Sequence, residues 1–216
     1  MRKITINLAA VAAFCIVVAS PALVSSSCAT PKTEQEDTTI IREDSGITAL
    51  KYSSPEVPAS IEFCGKTIDL SRFDRHERMD RELLAFTYMH STSLQMLKKA
   101  NRYFPIVEPI LKENGIPDDF KYLMVIESNM NPTARSSAGA AGLWQFMQGT
   151  GRDYGLEVNN NVDERYHIEK ATRAACRYLK DAYAKYKDWV AVAASYNAGQ
   201  ARIASQLAKQ DRKSVV

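Results

Sequence analysis

The chain carries only three histidines, two tryptophans and four cysteines in 216 residues. Scarcity of that order removes whole classes of chemistry. His76, His90 and His167 have no metal-ligand spacing, and no base stands near the cysteines in sequence, so neither a metal site nor thiol catalysis is expected. The run "AGAAGLW" lacks the lysine and the preceding strand of a nucleotide-binding glycine loop, and no cofactor is expected. Nor does either sign of charge dominate. The formal net charge of +3 falls to +1 once Arg2 and Lys3 are set aside, so no nucleic-acid partner follows. Strand signals are nearly missing, one short piece over 60–69 aside, and there is no internal repeat.

What remains is ordinary: 45% apolar and 25% charged residues, enough for one sizeable core with extensions. The first stretch departs from this. "MRKITINLAAVAAFCIVVASPALVSSSCAT" has two basic residues, an apolar run from Leu8 to Ala19 and then small residues, the layout of a secretory signal peptide over 1–27. The run falls short of the roughly 20 apolar residues of a comfortable membrane span. The mature chain is therefore expected to be exported, to the periplasm or cell envelope. Cys28 is a candidate for lipidation, which would add a membrane anchor, although Ser25 stands where Leu or Val is usual; both readings stay open. Residues 28–59, rich in Thr, Ser, Glu, Asp and Pro, read as a flexible linker. Cys64 and Cys176 are left in the body, either paired or as two buried thiols.

From Asp80 the spacing turns helical. Leu83, Phe86, His90, Leu94 and Leu97 form one stripe; a second helix is predicted from Pro105 to Glu113, stopped by Gly115. A third opens at Asp118 as N-cap, and a fourth covers about 169–187 with Ala171, Ala174, Ala175, Tyr178, Leu179, Ala182, Tyr183 and Tyr186 on one face. The fifth runs from Asp188 to Gly199, is apolar almost all round, and should be the buried centre. The fold class is all-α and compact, with much of the informative sequence in the connections. The domain is placed at 60–216.

"VIESNMNP" sets a single acid, Glu127, in an apolar, amide-rich run. On a helix it shares its side with Phe120, Leu123 and Met124, so its carboxyl points toward the core. Burial raises a carboxyl pKa, and the partial negative charge of a helix C-terminus acts in the same direction; a general acid is the functional reading. The plainer reading pairs Glu127 with an arginine, for instance Arg135 or Arg152, or turns its head to water at the helix end. Downstream, five glycines between Gly139 and Gly155 let backbone approach a ligand, Gln145 offers an amide suited to sugar hydroxyls, and Trp144 and Phe146 are either sugar platforms or core plugs.

"ESNMNPTARSSAGAAGLWQFMQGT", followed by "SYNAG" at 195–199, resembles the catalytic region of the lytic transglycosylases, enzymes of goose-type lysozyme-like fold that cleave peptidoglycan. "GLWQF" and "GTGRDYGL" are most similar to the membrane-bound D type within that family. The resemblance covers roughly residues 75–203. It implies a lysozyme-like domain with a glycan-binding groove and peptidoglycan strands as partner. By position it makes Glu127 the single catalytic acid and base. Ser136 falls near the reacting sugar, Gly142, Gln145 and Met147 on the groove segment, Tyr196 close to the catalytic carboxyl, and Asn197 where helix end and groove meet. A turn or cap role stays open for Ser136 and Asn197, and Trp189 reads as packing. The implied reaction releases a 1,6-anhydro sugar without water, which accounts for a lone carboxylate where an ordinary glycosidase needs two. Asp153, Glu157, Asp163 and Glu164 read as solvated surface rather than as the second.

Two departures temper the resemblance. Gln148 stands where the family often has Pro, and the chain stops at Val216 where relatives usually continue with further helices, so it is either a minimal form or truncated. The competing expectations are a hydrolase on the same fold and a non-catalytic peptidoglycan-binding protein on a degenerate one. A monomer is expected.

Overall fold

The computed structural model describes residues 55–209. The signal peptide, Cys28 and most of the linker lie outside the described residues. Among those described, two short strands, β1 (Ser60–Phe63) and β2 (Lys66–Asp69), precede seven helices. These are α1 (Phe73–Tyr88), α2 (His90–Glu113), α3 (Leu123–Ser128), α4 (Gln148–Asp153), α5 (Ile168–Tyr186), α6 (Trp189–Ala198) and α7 (Gln200–Lys209), with single 3-10 turns at Asp118–Tyr122 and Glu164–Tyr166. The architecture is all-α and lysozyme-like, with one small hairpin. No described helix is long and apolar enough to cross a membrane.

The short strand piece over 60–69 is a hairpin. Ile61 faces Ile68 and Phe63 faces Lys66 across it, leaving Cys64 and Gly65 as a two-residue turn with φ of 51° and 76°. Two positive φ values are the signature of the tight turn whose twist matches a hairpin, and only Gly adopts one without strain. Cys64 is kept there by its backbone N–H, which donates to Asp119 Oδ2 at 2.7 Å. Lys66 reaches Asp188 Oδ2 at 2.8 Å, while Asp188 Oδ1 accepts from Val190 N at 2.9 Å and caps α6. The turn is thereby tied to the start of the central helix. Cys64 and Cys176 are both free thiols, so no disulfide joins them: one sits in this turn, the other is buried within α5.

Three helix expectations need correction. The stripe from Leu83 to Leu97 is not one core face, because the helix breaks at Met89 (φ −78°, ψ 48°). The break resets the helical phase, so Ser93, Met96, Ala100 and Phe104 turn inward while Leu94 is 59% exposed. The helix expected from Pro105 is the second half of the 24-residue α2. Pro105 and Pro109 lie on its solvent side, and Val107, Ile110 and Leu111 opposite them are buried in the core that holds the helix together. Asp118 does not cap a helix; with Glu108 it holds the buried Lys121 ammonium, and a 3-10 turn replaces the first α turn. Gly115 (φ 67°) does end α2, with Ile116 N–H returning to Leu111 O at 3.0 Å.

The main core spans α2, the Asp118–Tyr122 turn, α3, the loop around Trp144, α5 and α6. Helix α6 runs through it, with Val190 to Ser195 all buried. A separate cluster of Ile61, Leu70, Met79 and Leu83, with Val57 and Ile68 against it, joins the hairpin to α1. Helix α7, which follows Gly199 and buries Leu207, is not legible in the sequence reading.

Candidate active site

Glu127 is the penultimate residue of α3, a helix of six residues. The Phe120, Leu123 and Met124 side chains on its face are fully buried. The helix ends abruptly because Asn129 and Met130 take φ of 49° and 51°, returning N–H bonds to Val125 O (2.9 Å) and Met124 O (3.2 Å). Left-handed backbone at two successive residues other than glycine costs on the order of 1–3 kcal/mol apiece, and is kept only where surroundings fix it. Met130 is buried without exposure, and Lys99 Nζ from α2 donates to Asn129 O at 3.0 Å.

The carboxyl itself is half-buried, but Oε1 is sealed from solvent and has no hydrogen-bond partner among the described residues. Desolvation alone lifts its pKa to about 7. No arginine compensates. Arg152 Nε donates to Val158 O at 2.8 Å, and the charge of Arg135 acts on Asp163, so the ion-pair reading of Glu127 is overturned. No other carboxylate sets its state either. Asp163 is bonded to Arg165, Glu164 to Lys170, and Glu157 to Asn159. Asp163 and Glu164 are half-buried in these bonds rather than loose on the surface.

Facing this helix is the segment from Ala134 to Met147, whose backbone folds back through bridges between Arg135 and Ala141 and between Ala141 and Phe146. Ser136 Oγ accepts from Ala140 N at 3.0 Å, and its backbone N–H donates to Ala140 O at 2.9 Å. It is a turn residue whose own O–H is left for another acceptor. Gly142 (φ 78°) lies on the Arg165 carbonyl, where any β-carbon would overlap it. Its glycine identity is therefore explained by backbone contact inside the protein. Gln145 (φ 48°) directs its side-chain NH2 to Gly142 O at 2.8 Å and Ala134 O at 3.3 Å, leaving the amide oxygen for a ligand. Met147 is exposed at the N-cap of α4. Trp144 and Phe146 are core plugs: the indole is wholly buried, with Nε1 donating to Thr172 Oγ1 at 3.0 Å.

Tyr196 is expected beside a carboxylate that would take its hydroxyl. Its O–H donates instead to Trp144 O at 2.8 Å. Its pKa is pushed well up, first by burial and then by the charge of Glu127, so the two side chains are neighbours without being bonded. Asn197 is exposed near the end of α6. Trp189 stacks on Tyr183 with ring centroids 4.1 Å apart and meets Phe120 edge-on, a packing role as read.

Three residues escape the sequence reading. The Ser128 hydroxyl lies 3.0 Å from both Met124 O and Leu143 O, joining the acid's helix to the loop. Arg165 is buried and bonds Phe146 O. Lys99 is the third. Ser128 is signalled only by adjacency to Glu127, whereas burial of Arg165 has no sequence signal, since arginine is ordinarily exposed. The carbonyls of Gly142, Leu143, Trp144 and Phe146 are thus each held by a side chain, those of Gln145, Ser128, Tyr196 and Arg165.

A helical domain whose central helix is buried, with a desolvated carboxyl facing a loop so held, is of the lysozyme-like class. The family model described as Transglycosylase SLT domain matches residues 105–215, just over half of the chain, and the chain belongs to that family. It is 31% identical over 128 residues to the membrane-bound lytic murein transglycosylase D of Escherichia coli (strain K12), covering 59% of this chain and 27% of the relative. A putative tributyltin chloride resistance protein of Alteromonas sp. (strain M-1) is 23% identical over 117 residues, 54% of this chain and 56% of that one. The peptidoglycan transglycosylase gp16 of Escherichia phage T7 is 33% identical over 93 residues, 42% of this chain and 7% of its own length. The chain spans about a quarter of the length of the first of these.

Proposed function

We propose that the chain is a lytic transglycosylase that cleaves the β-1,4 bond between N-acetylmuramic acid and N-acetylglucosamine in peptidoglycan. The observation that carries this is Glu127, whose carboxyl is desolvated, unpaired and poised near pH 7. Its protonated form donates to the bridging oxygen as the C1–O bond breaks, and the neighbouring acetamido group stabilises the cationic C1. The carboxylate then takes the proton of the C6 hydroxyl as that oxygen bonds to C1. The products are a 1,6-anhydro-muramic end and a free 4-hydroxyl, with no water consumed. Because one group serves as both acid and base, a pKa near the working pH suits both steps.

Burial of the carboxyl keeps it protonated and disfavours competing water. Hydrolysis by two carboxylates is disfavoured, since Asp163, Glu164 and Glu157 are each engaged elsewhere. The Ser136 hydroxyl and the Gln145 amide oxygen face the glycan, and Met147 lines the groove. The site belongs to a domain beginning near residue 60 of an exported protein, which acts on peptidoglycan in the cell envelope, in cell-wall turnover. Incubation with murein sacculi and mass analysis of the released fragments tests this. Anhydro ends that vanish in Glu127→Gln are expected. Reducing ends would make the protein a hydrolase, and no release by the wild type would make it a binding protein.

A further inference from the structure

Arg165 is 5% exposed. Its Nε and Nη2 donate to Asp163 Oδ1 (2.9 Å) and Oδ2 (2.7 Å), while Nη1 donates to Gly139 O (2.9 Å) and Phe146 O (3.0 Å). Those two carbonyls lie at the tip and the exit of the groove loop. The backbone carbonyl of the same residue is the floor under Gly142, and its Cγ would stand 3.3 Å from a β-carbon at Gly151 in α4. One residue therefore meets the loop three times, with its side chain at the tip, the exit and the following helix and with its backbone carbonyl at the floor. Taking a cation out of water is costly unless its donors are satisfied, and an apolar side chain would fill this space without that cost. What an apolar side chain lacks is the planar fork that fixes two carbonyls and a carboxylate at set angles; a lysine, with one ammonium, cannot span them.

We propose that Arg165 is a positioning residue of the site, setting the height of the Ala134–Phe146 loop so that Ser136 and Gln145 meet a glycan lying beside Glu127. This rests on the glycan-cleaving reading. The test uses the full chain and soluble, uncross-linked peptidoglycan strands. Binding is measured in the Glu127→Gln background, where turnover does not interfere, and kcat and KM are measured with Glu127 present. Arg165→Lys is expected to weaken binding at least tenfold and to raise KM, while the pH midpoint of kcat stays put because α3 is untouched. Arg165→Ala is expected to regain binding with millimolar guanidinium and not with ammonium.

Wild-type binding and kinetics in Arg165→Lys would overturn the inference. So would a loss in Arg165→Ala that guanidinium leaves unchanged, which would reduce Arg165 to fold maintenance. Should Arg165→Ala fail to fold, Asp163→Asn serves: it frees half the fork and should weaken binding measurably, and unchanged affinity would overturn the inference. A wild type that neither binds nor cleaves strands would sink the functional reading and this inference with it, whereas intact wild-type activity with indifferent variants sinks this inference alone.

Discussion

At the scale of single residues, the site turns on a carboxyl that gains nothing from its surroundings except dryness. The pKa of Glu127 rises from 4.5 to about 7 through desolvation. For a raised pKa the sign is fixed: the native state is favoured in full below pH 4.5, and that advantage is lost as pH climbs through 7. Glu127→Gln should therefore become more stable relative to wild type between pH 4.5 and 8, by on the order of 3 kcal/mol at most. Urea unfolding of both proteins at the two pH values checks this; a difference independent of pH would show the carboxyl to be solvated. Activity requiring the acid form should decline above about pH 7. Tyr196→Phe removes the O–H that satisfies Trp144 O. It should cost about 1–2 kcal/mol of stability with the catalytic pH midpoint little moved, because the hydroxyl is bonded to the loop and not to the acid.

Between residues and the whole lie the loop and the helix ends. Gly142 and Gly149 are seven positions apart and separate two kinds of glycine. A β-carbon at Gly142 overlaps the Arg165 carbonyl and meets φ of 78°, whereas one at Gly149 meets nothing within 4 Å. Gly142→Ala should lower stability by roughly 3 kcal/mol or more and abolish glycan cleavage, while Gly149→Ala, in helix α4, should be neutral or up to about 1 kcal/mol stabilising. Chemical denaturation midpoints decide. Asp188 caps α6 from a buried position and also holds Lys66 of the hairpin. Asp188→Ala should cost about 1–2 kcal/mol, and Asp188→Asn, which can still cap, should cost less.

Across the whole molecule, two apolar clusters of unequal size predict unequal opening. The hairpin and α1 share a cluster built on Ile61, Leu70, Met79 and Leu83, apart from the main core. Phe63 and Ile68, the Cys64–Asp119 bond and the Lys66–Asp188 pair bind the hairpin to the rest. Amide exchange should therefore release Leu70 to Leu83 before α5 and α6, and Lys66→Ala should widen the gap. Equal protection across both clusters would show a single cooperative unit.

Local periodicity and motif spacing determined a good deal here. Fold class, the apolar face of α5, the burial of α6, the stop at Gly115 and the lone acid at Glu127 all follow from patterns within a few residues of one another. What lay beyond local pattern was decided by packing. The break at Met89 turned the second half of a predicted apolar stripe, Leu94 and Leu97, toward solvent, and the core on one side of α2 carried that helix through two prolines. The partners of Tyr196, Gln145 and Arg165 are carbonyls 52, 3 and 11, 26 and 19 residues away. Every residue has a carbonyl, so sequence cannot name which one a distant donor will find. That choice is made only when the chain closes on itself and each buried polar group must be satisfied.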